Sequence, residues 1–136
     1  MKLMITGYAR HGKDTVAEYI SQKYNLRYTS SSRFMCSNVV YPQLKEIYKY
    51  QSEEECWQDR MQHRKEWYDL ISQYSDGDHS RLAREIFEKN DIYCGIRNKR
   101  EFHAAKNTGL FDFSIWVDRS DLAMPEHKES NSIEPW

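Results

Sequence analysis

The chain has 136 residues, room for one ordinary domain, and its 39% hydrophobic and 14% aromatic content with five Gly and three Pro excludes a disordered or collagen-like polymer. Twenty Lys and Arg against 21 Asp and Glu leave a formal net charge of -1, which excludes a polycation that coats nucleic acid or anionic lipid over its whole surface. Cys36, Cys56 and Cys94 form no C-x-x-C pair, so neither a disulfide framework nor a zinc knuckle is expected. No apolar run approaches the ~20 residues that span a bilayer, and Met1 leads into a strand-like segment without a signal-peptide core. A soluble, unprocessed, cytoplasmic chain with free thiols and no membrane partner is the expectation.

The segment Lys2 to Thr6 reads as a first strand ending at Gly7, and Lys13 to Tyr24 as a helix, with Val16, Ala17, Ile20 and Tyr24 on one face. Leu26 to Ser30 is a weaker strand, and the serines at 30–32 precede a helix from about Arg33 that Pro42 interrupts or ends. Ser52 and Glu55 make a capping box that should open a helix reaching Tyr74, with Cys56, Trp57, Met61, Trp67, Leu70, Ile71 and Tyr74 inward. After the turn at 75–78, Ser80 to Lys89 predicts a helix burying Leu82, Ala83, Ile86 and Phe87, and Ile92 to Ile96 a buried strand. Asn98 and Glu101 form a second capping box for a helix ending near Gly109, and Phe113 to Val117 is the strongest strand. Strands alternating with helices predict an α/β fold with a parallel sheet flanked by helices. Charge is uneven: residues 1–51 hold eight Lys and Arg against three carboxylates, residues 52–91 six against eleven.

Gly7-Tyr8-Ala9-Arg10-His11-Gly12-Lys13 matches G-x-x-x-x-G-K between the first strand and its helix, where a phosphate loop sits. Glycines let the backbone curl so that N–H groups of residues 7–13 face phosphate oxygens, the helix adds its positive end, and Lys13 reaches the terminal phosphates. A glycine turn with an incidental lysine is the plain alternative; strand, spacing and helix together favour the loop. Asp14 stands where the general pattern has a Ser or Thr that ligates Mg²⁺, so Asp14 and neighbouring Thr15 are the metal candidates, both hard oxygen donors that also suit a first helical turn.

Gly12-Lys13-Asp14-Thr15 with Val16 to Ile20 resembles the phosphate loop of phage deoxynucleoside monophosphate kinases and their thymidylate-kinase-like relatives, which include kinases acting on 5-hydroxymethyluracil within DNA. Ile92 to Asn98 with Glu101, and Ile115 to Arg119, resemble later segments of the same group. The resemblance implies a three-layer P-loop NTPase fold over residues 1–136, ATP and Mg²⁺ as cofactors, and a kinase. It also implies a further strand and helix beyond Trp136, so either the chain is shortened or that sheet edge is missing. Phe87 to Asp91 leaves no room for the Arg-rich lid such kinases carry, which favours an open site suited to a DNA acceptor, with a free deoxynucleotide as the alternative and a non-catalytic nucleotide-binding module as a third reading.

Phosphoryl transfer is mostly positioning and charge neutralisation, so arginines near the loop are the expected helpers. Arg33 follows the second strand, where the resemblance implies acceptor contacts, and Arg97 follows a strand exit, where open α/β sheets bind ligands. Lys13, Asp14, Arg33 and Arg97 are therefore the catalytic candidates. Arg60, His63, Arg64 and Trp67 recur at helical steps; with Arg33 they either clamp an acceptor and stack its base or form an ordinary solvated face with pairs such as Asp59–His63. Arg81, Arg84, His79 and His103 read as surface residues.

Overall fold

The computed structural model describes residues 1–8, 12–96 and 98–118. Four strands, β1 (Leu3–Thr6), β2 (Tyr28–Ser30), β3 (Ile92–Cys94) and β4 (Phe113–Trp116), form one all-parallel sheet in the order β2-β3-β1-β4. In register, Leu3 faces Ile92 on one side and Phe113 on the other. The chain is α/β with a parallel sheet flanked by helices, as the alternation of patterns predicts.

By its internal packing the chain divides into two compact units, Met1–Ser31 with His79–Trp136, and Ser32–Asp78. The first holds the sheet, α1 (Lys13–Tyr24), α6 (Arg81–Lys89) and α7 (Lys99–Asn107). Side chains alternate across a strand, so Leu3, Ile5, Ile92 and Cys94 share a face; Ala17 of α1 packs there, with Val16 and Ile20 beside it. Tyr93 points the other way and is fully buried, its ring 6.1 Å from that of Phe87 on α6. Leu82, Ala83, Ile86 and Phe87 are buried as expected.

The second unit holds α2 (Ser31–Met35, shared with the boundary), a π-helical turn (Cys36–Val40), α3 (Tyr41–Tyr48), α4 (Glu53–Gln58), a 3-10 turn (Arg60–His63) and α5 (Arg64–Tyr74). Two expectations are revised here. Of the two readings of Pro42, ending the helix fails and interrupting it stands: a π-helical turn breaks the α-helical run just before it, and Pro42 lies in the first turn of α3, where its missing N–H costs nothing. The helix from Ser52 does not run to Tyr74 either. It stops at Asp59, whose φ of -89° and ψ of 0° lie outside the helical range, and Met61 is exposed rather than inward. Strand ends also fall short of the sequence reading, with β3 closing at Cys94 and β4 at Trp116. Among the described residues no helix is long and apolar enough to cross a membrane.

Candidate functional site

β1 delivers the chain to Gly7, whose φ of +147° favours glycine. Space also requires glycine there: a Cβ would lie 2.5 Å from the carbonyl oxygen of Val117. Val117 is tied to β1 beside it, its N–H donating to the oxygen of Thr6 at 2.9 Å. Gly12, at φ +89°, precedes α1 as its N-cap, and no side chain caps the helix. A twelve-residue helix thus opens on bare backbone, the arrangement that leaves N–H groups and the positive end of the dipole to an anion.

Lys13 is only 8% exposed, and its Nζ donates to the Gly7 oxygen at 2.8 Å. The ammonium therefore ties the start of α1 back to the exit of β1. Asp14 and Thr15 are exposed in the first turn of α1. The Cys94 thiol, at the end of β3, donates to Asp14 Oδ1 at 3.4 Å, a partner that the sequence pattern does not show because 80 residues separate the two. Burial, then the carboxylates of Glu18 and Asp14, push the Tyr28 phenol above its ordinary value, so negative charge gathers on this side of α1. Tyr8 meets the edge of Trp116 with ring centres 5.2 Å apart. Ala9, Arg10, His11 and Arg97, candidates from the motif and the strand exit, lie outside the described residues.

The acceptor candidates lie in the second unit. Arg33 and Arg60 both come to Trp57, their guanidinium carbons 3.9 and 4.0 Å from the indole ring centre. Arg33 also pairs with Glu54 at 3.2 Å, and Arg60 donates to the Trp57 oxygen at 2.8 Å. Hydrogen bonds from the Gln58 amide and from Arg33 hold the Glu54 carboxyl below its usual range. Trp57 was expected to face inward and is instead half-buried between two cations.

Arg60, His63, Arg64 and Trp67 do not share a face, since the 3-10 turn breaks the helical spacing on which that reading depends. His63 lies between Asp59 (3.1 Å) and Glu66 (3.2 Å), Arg64 is exposed, and Trp67 is 6% exposed with its ring turned to Trp57. A buried indole is not placed to stack a base, so of the two tryptophans Trp57 has the better surroundings for that task. Arg81 pairs with Glu85 at 3.7 Å and Arg84 donates to Ser80 Oγ at 3.0 Å, as surface residues do.

Compared with protein-family models and with curated proteins, the sequence finds no match. The functional reading therefore rests on the motif and on the geometry of Gly7, Gly12 and Lys13.

Proposed function

We propose that the chain is an ATP-dependent phosphotransferase of the P-loop kinase type, related to the thymidylate-kinase-like group. Its acceptor is the hydroxymethyl oxygen of 5-hydroxymethyluracil in DNA. The observation that carries the donor half is the glycine segment closed by Lys13: a strand exit where only glycine fits, an uncapped helix start, and a nearly buried ammonium on the loop's own carbonyl. Lys13 would exchange the Gly7 carbonyl for terminal phosphate oxygens, and the backbone from Gly7 to Thr15, including Tyr8, Ala9, Arg10 and His11, would wrap the rest.

Asp14 explains why a cation belongs there as well. A carboxylate beside a triphosphate repels it unless a divalent ion lies between, and Asp14 and Thr15 offer hard oxygens of the type Mg²⁺ prefers. When bound, Mg²⁺ supplies neutralisation of charge on the β- and γ-phosphates. The Cys94 thiol holds Oδ1 of Asp14, and Asp14 with Thr15 would hold the ion.

The acceptor half is supported by the short link between α6 and β3: the helix ends at Lys89 and the strand begins at Ile92, too close for an enclosing lid. An open acceptor side suits a polymer better than a free nucleotide. Labelled ATP offered in parallel with DNA containing 5-hydroxymethyluracil and with free deoxynucleoside monophosphates tests the proposal, the expected result being label in DNA. Label in nucleotides alone would replace the acceptor with a monophosphate. Lys13→Ala should reduce turnover by about 10²-fold or more; nucleotide binding without any turnover in the parent chain would point to a regulatory module instead.

A further inference from the structure

Cys94 closes β3, the strand that lies between β2 and β1, in register with Ser30 on one side and Ile5 on the other. Its side chain is wholly buried in the cluster of Leu3, Ile5, Ala17 and Ile92, where a thiol ordinarily serves as a small hydrophobe. Here its Sγ also donates to Oδ1 of Asp14 at 3.4 Å. The donor thus belongs to a strand paired on both sides, and the acceptor to an exposed residue in the first turn of α1.

An aspartate in that turn has a local alternative. The Val16 N–H makes the first helical bond, to the Gly12 oxygen at 3.0 Å, so the N–H groups of residues 13–15 stand ahead of the ladder at the positive end of the dipole. A carboxylate in a first turn is drawn to such groups and can satisfy them itself. Gly12 has no side chain to compete for them. Among the described residues the Asp14 carboxylate accepts from the thiol instead, so its hydrogen bond goes to the sheet and not to its own helix start.

We infer that Cys94 is a positioning residue: its thiol holds the Asp14 carboxylate off the opening of α1, which keeps backbone N–H groups available to an anion and gives the carboxylate one direction for a divalent cation. The inference rests on the kinase reading above for the identity of that anion and cation, a triphosphate and Mg²⁺. A rigid strand end supplies the support that an exposed side chain at a helix start lacks.

Packing and positioning make opposite demands on a replacement. Valine comes close to the thiol in volume and donates nothing, whereas serine donates and fills less space. A thiol that only packs is better replaced by valine, and one that positions Asp14 by serine.

The test is calorimetric titration of ATP, once with Mg²⁺ and once with EDTA, into the parent chain, Cys94→Val, Cys94→Ser and Asp14→Asn, with melting temperatures alongside. The quantity read is the ratio of the two affinities, because lost packing weakens both alike and leaves the ratio unchanged. Mg²⁺ should tighten binding by the parent chain. That gain should shrink about three- to tenfold in Cys94→Val, although this variant melts at least as high as Cys94→Ser, which should keep the larger share of the gain. Asp14→Asn should lose the gain, and adding Cys94→Val to it should change the ratio no further, since the thiol acts through the carboxylate.

A full gain in Cys94→Val, a larger loss in Cys94→Ser than in Cys94→Val, or an equal further loss in the Asp14→Asn background overturns the inference. Should Cys94→Val not fold, the Raman S–H stretch of the nucleotide-free parent and Asp14→Asn decides: a shift to higher wavenumber in the variant, where a carboxamide accepts more weakly than a carboxylate, supports the contact, and an unchanged band overturns it. A parent chain that binds no ATP with Mg²⁺ overturns the kinase reading and this inference together. One that binds Mg²⁺-ATP while valine keeps the gain overturns this inference alone.

Discussion

At the scale of single residues, Gly7 has no room for a side chain. Gly7→Ala sets a methyl group 2.5 Å from the carbonyl oxygen of Val117, a residue whose N–H is bonded to Thr6, at a φ that alanine avoids. The expected result is a loss of stability of about 1–3 kcal/mol, read by urea denaturation, and, on the proposed kinase reading, a weaker nucleotide titration. The thiols behave differently. Cys36 and Cys56 are wholly buried and hydrogen-bond to each other, and burial first, then Cys56, pushes the Cys36 thiol up to about 12. A thiol whose folded value lies above its ordinary one keeps its proton longer in the native state, so its contribution is complete below about pH 9 and is lost as pH rises toward 12. Burial pushes the Tyr50 and Tyr93 phenols in the same direction. Denaturation midpoints measured from pH 8 to pH 11 should therefore fall, and Cys36→Ser should flatten part of that decline. Iodoacetamide should modify the parent protein slowly at neutral pH, since the thiolate is scarce.

Individual helices show what can be read in a sequence and what cannot. Both capping signals are legible because a cap is local chemistry: Ser52 Oγ accepts from the Glu55 N–H at 3.2 Å, and Asn98 serves α7 in the same way. Ser52→Ala and Asn98→Ala should each lower stability by about 1 kcal/mol, measured by urea denaturation. The break at Asp59 is not legible, because distant partners hold it. Tyr50 donates to the Asp59 carboxylate at 2.8 Å, His63 meets the same oxygen, and Glu66 receives the Tyr48 hydroxyl at 2.5 Å. Tyr48 also stacks on the His63 ring at 4.0 Å. A 3.6-residue periodicity continues through such a network without registering it, so Arg60 to Trp67 look like one face in the sequence and form none in the fold. The strand, glycine, lysine and helix start at residues 3–13 were legible for the opposite reason, since they lie within a dozen residues. Cys94 was not, because its link to Asp14 depends on the sheet.

For the whole molecule, alternating patterns revealed the class, and the strand order stayed hidden. Parallel strands need crossovers, and nothing in β1 says that its neighbours are β3 and β4 rather than β2. The helical unit from Ser32 to Asp78 was equally hidden, because periodicity reports that a helix has an apolar face and leaves open which surface covers it. The order of the strands governs how the chain emerges from the ribosome. The apolar strand Leu3–Thr6 is made before its described partners, which begin at Ile92 and Phe113, the second 110 positions after Leu3. At ~5–20 residues per second, its hydrogen-bonding edges wait about 5–20 s for the second of them. During that interval the apolar segment Leu3–Thr6 is unpaired, so the nascent polypeptide should depend on a holding chaperone until Phe113 has been made.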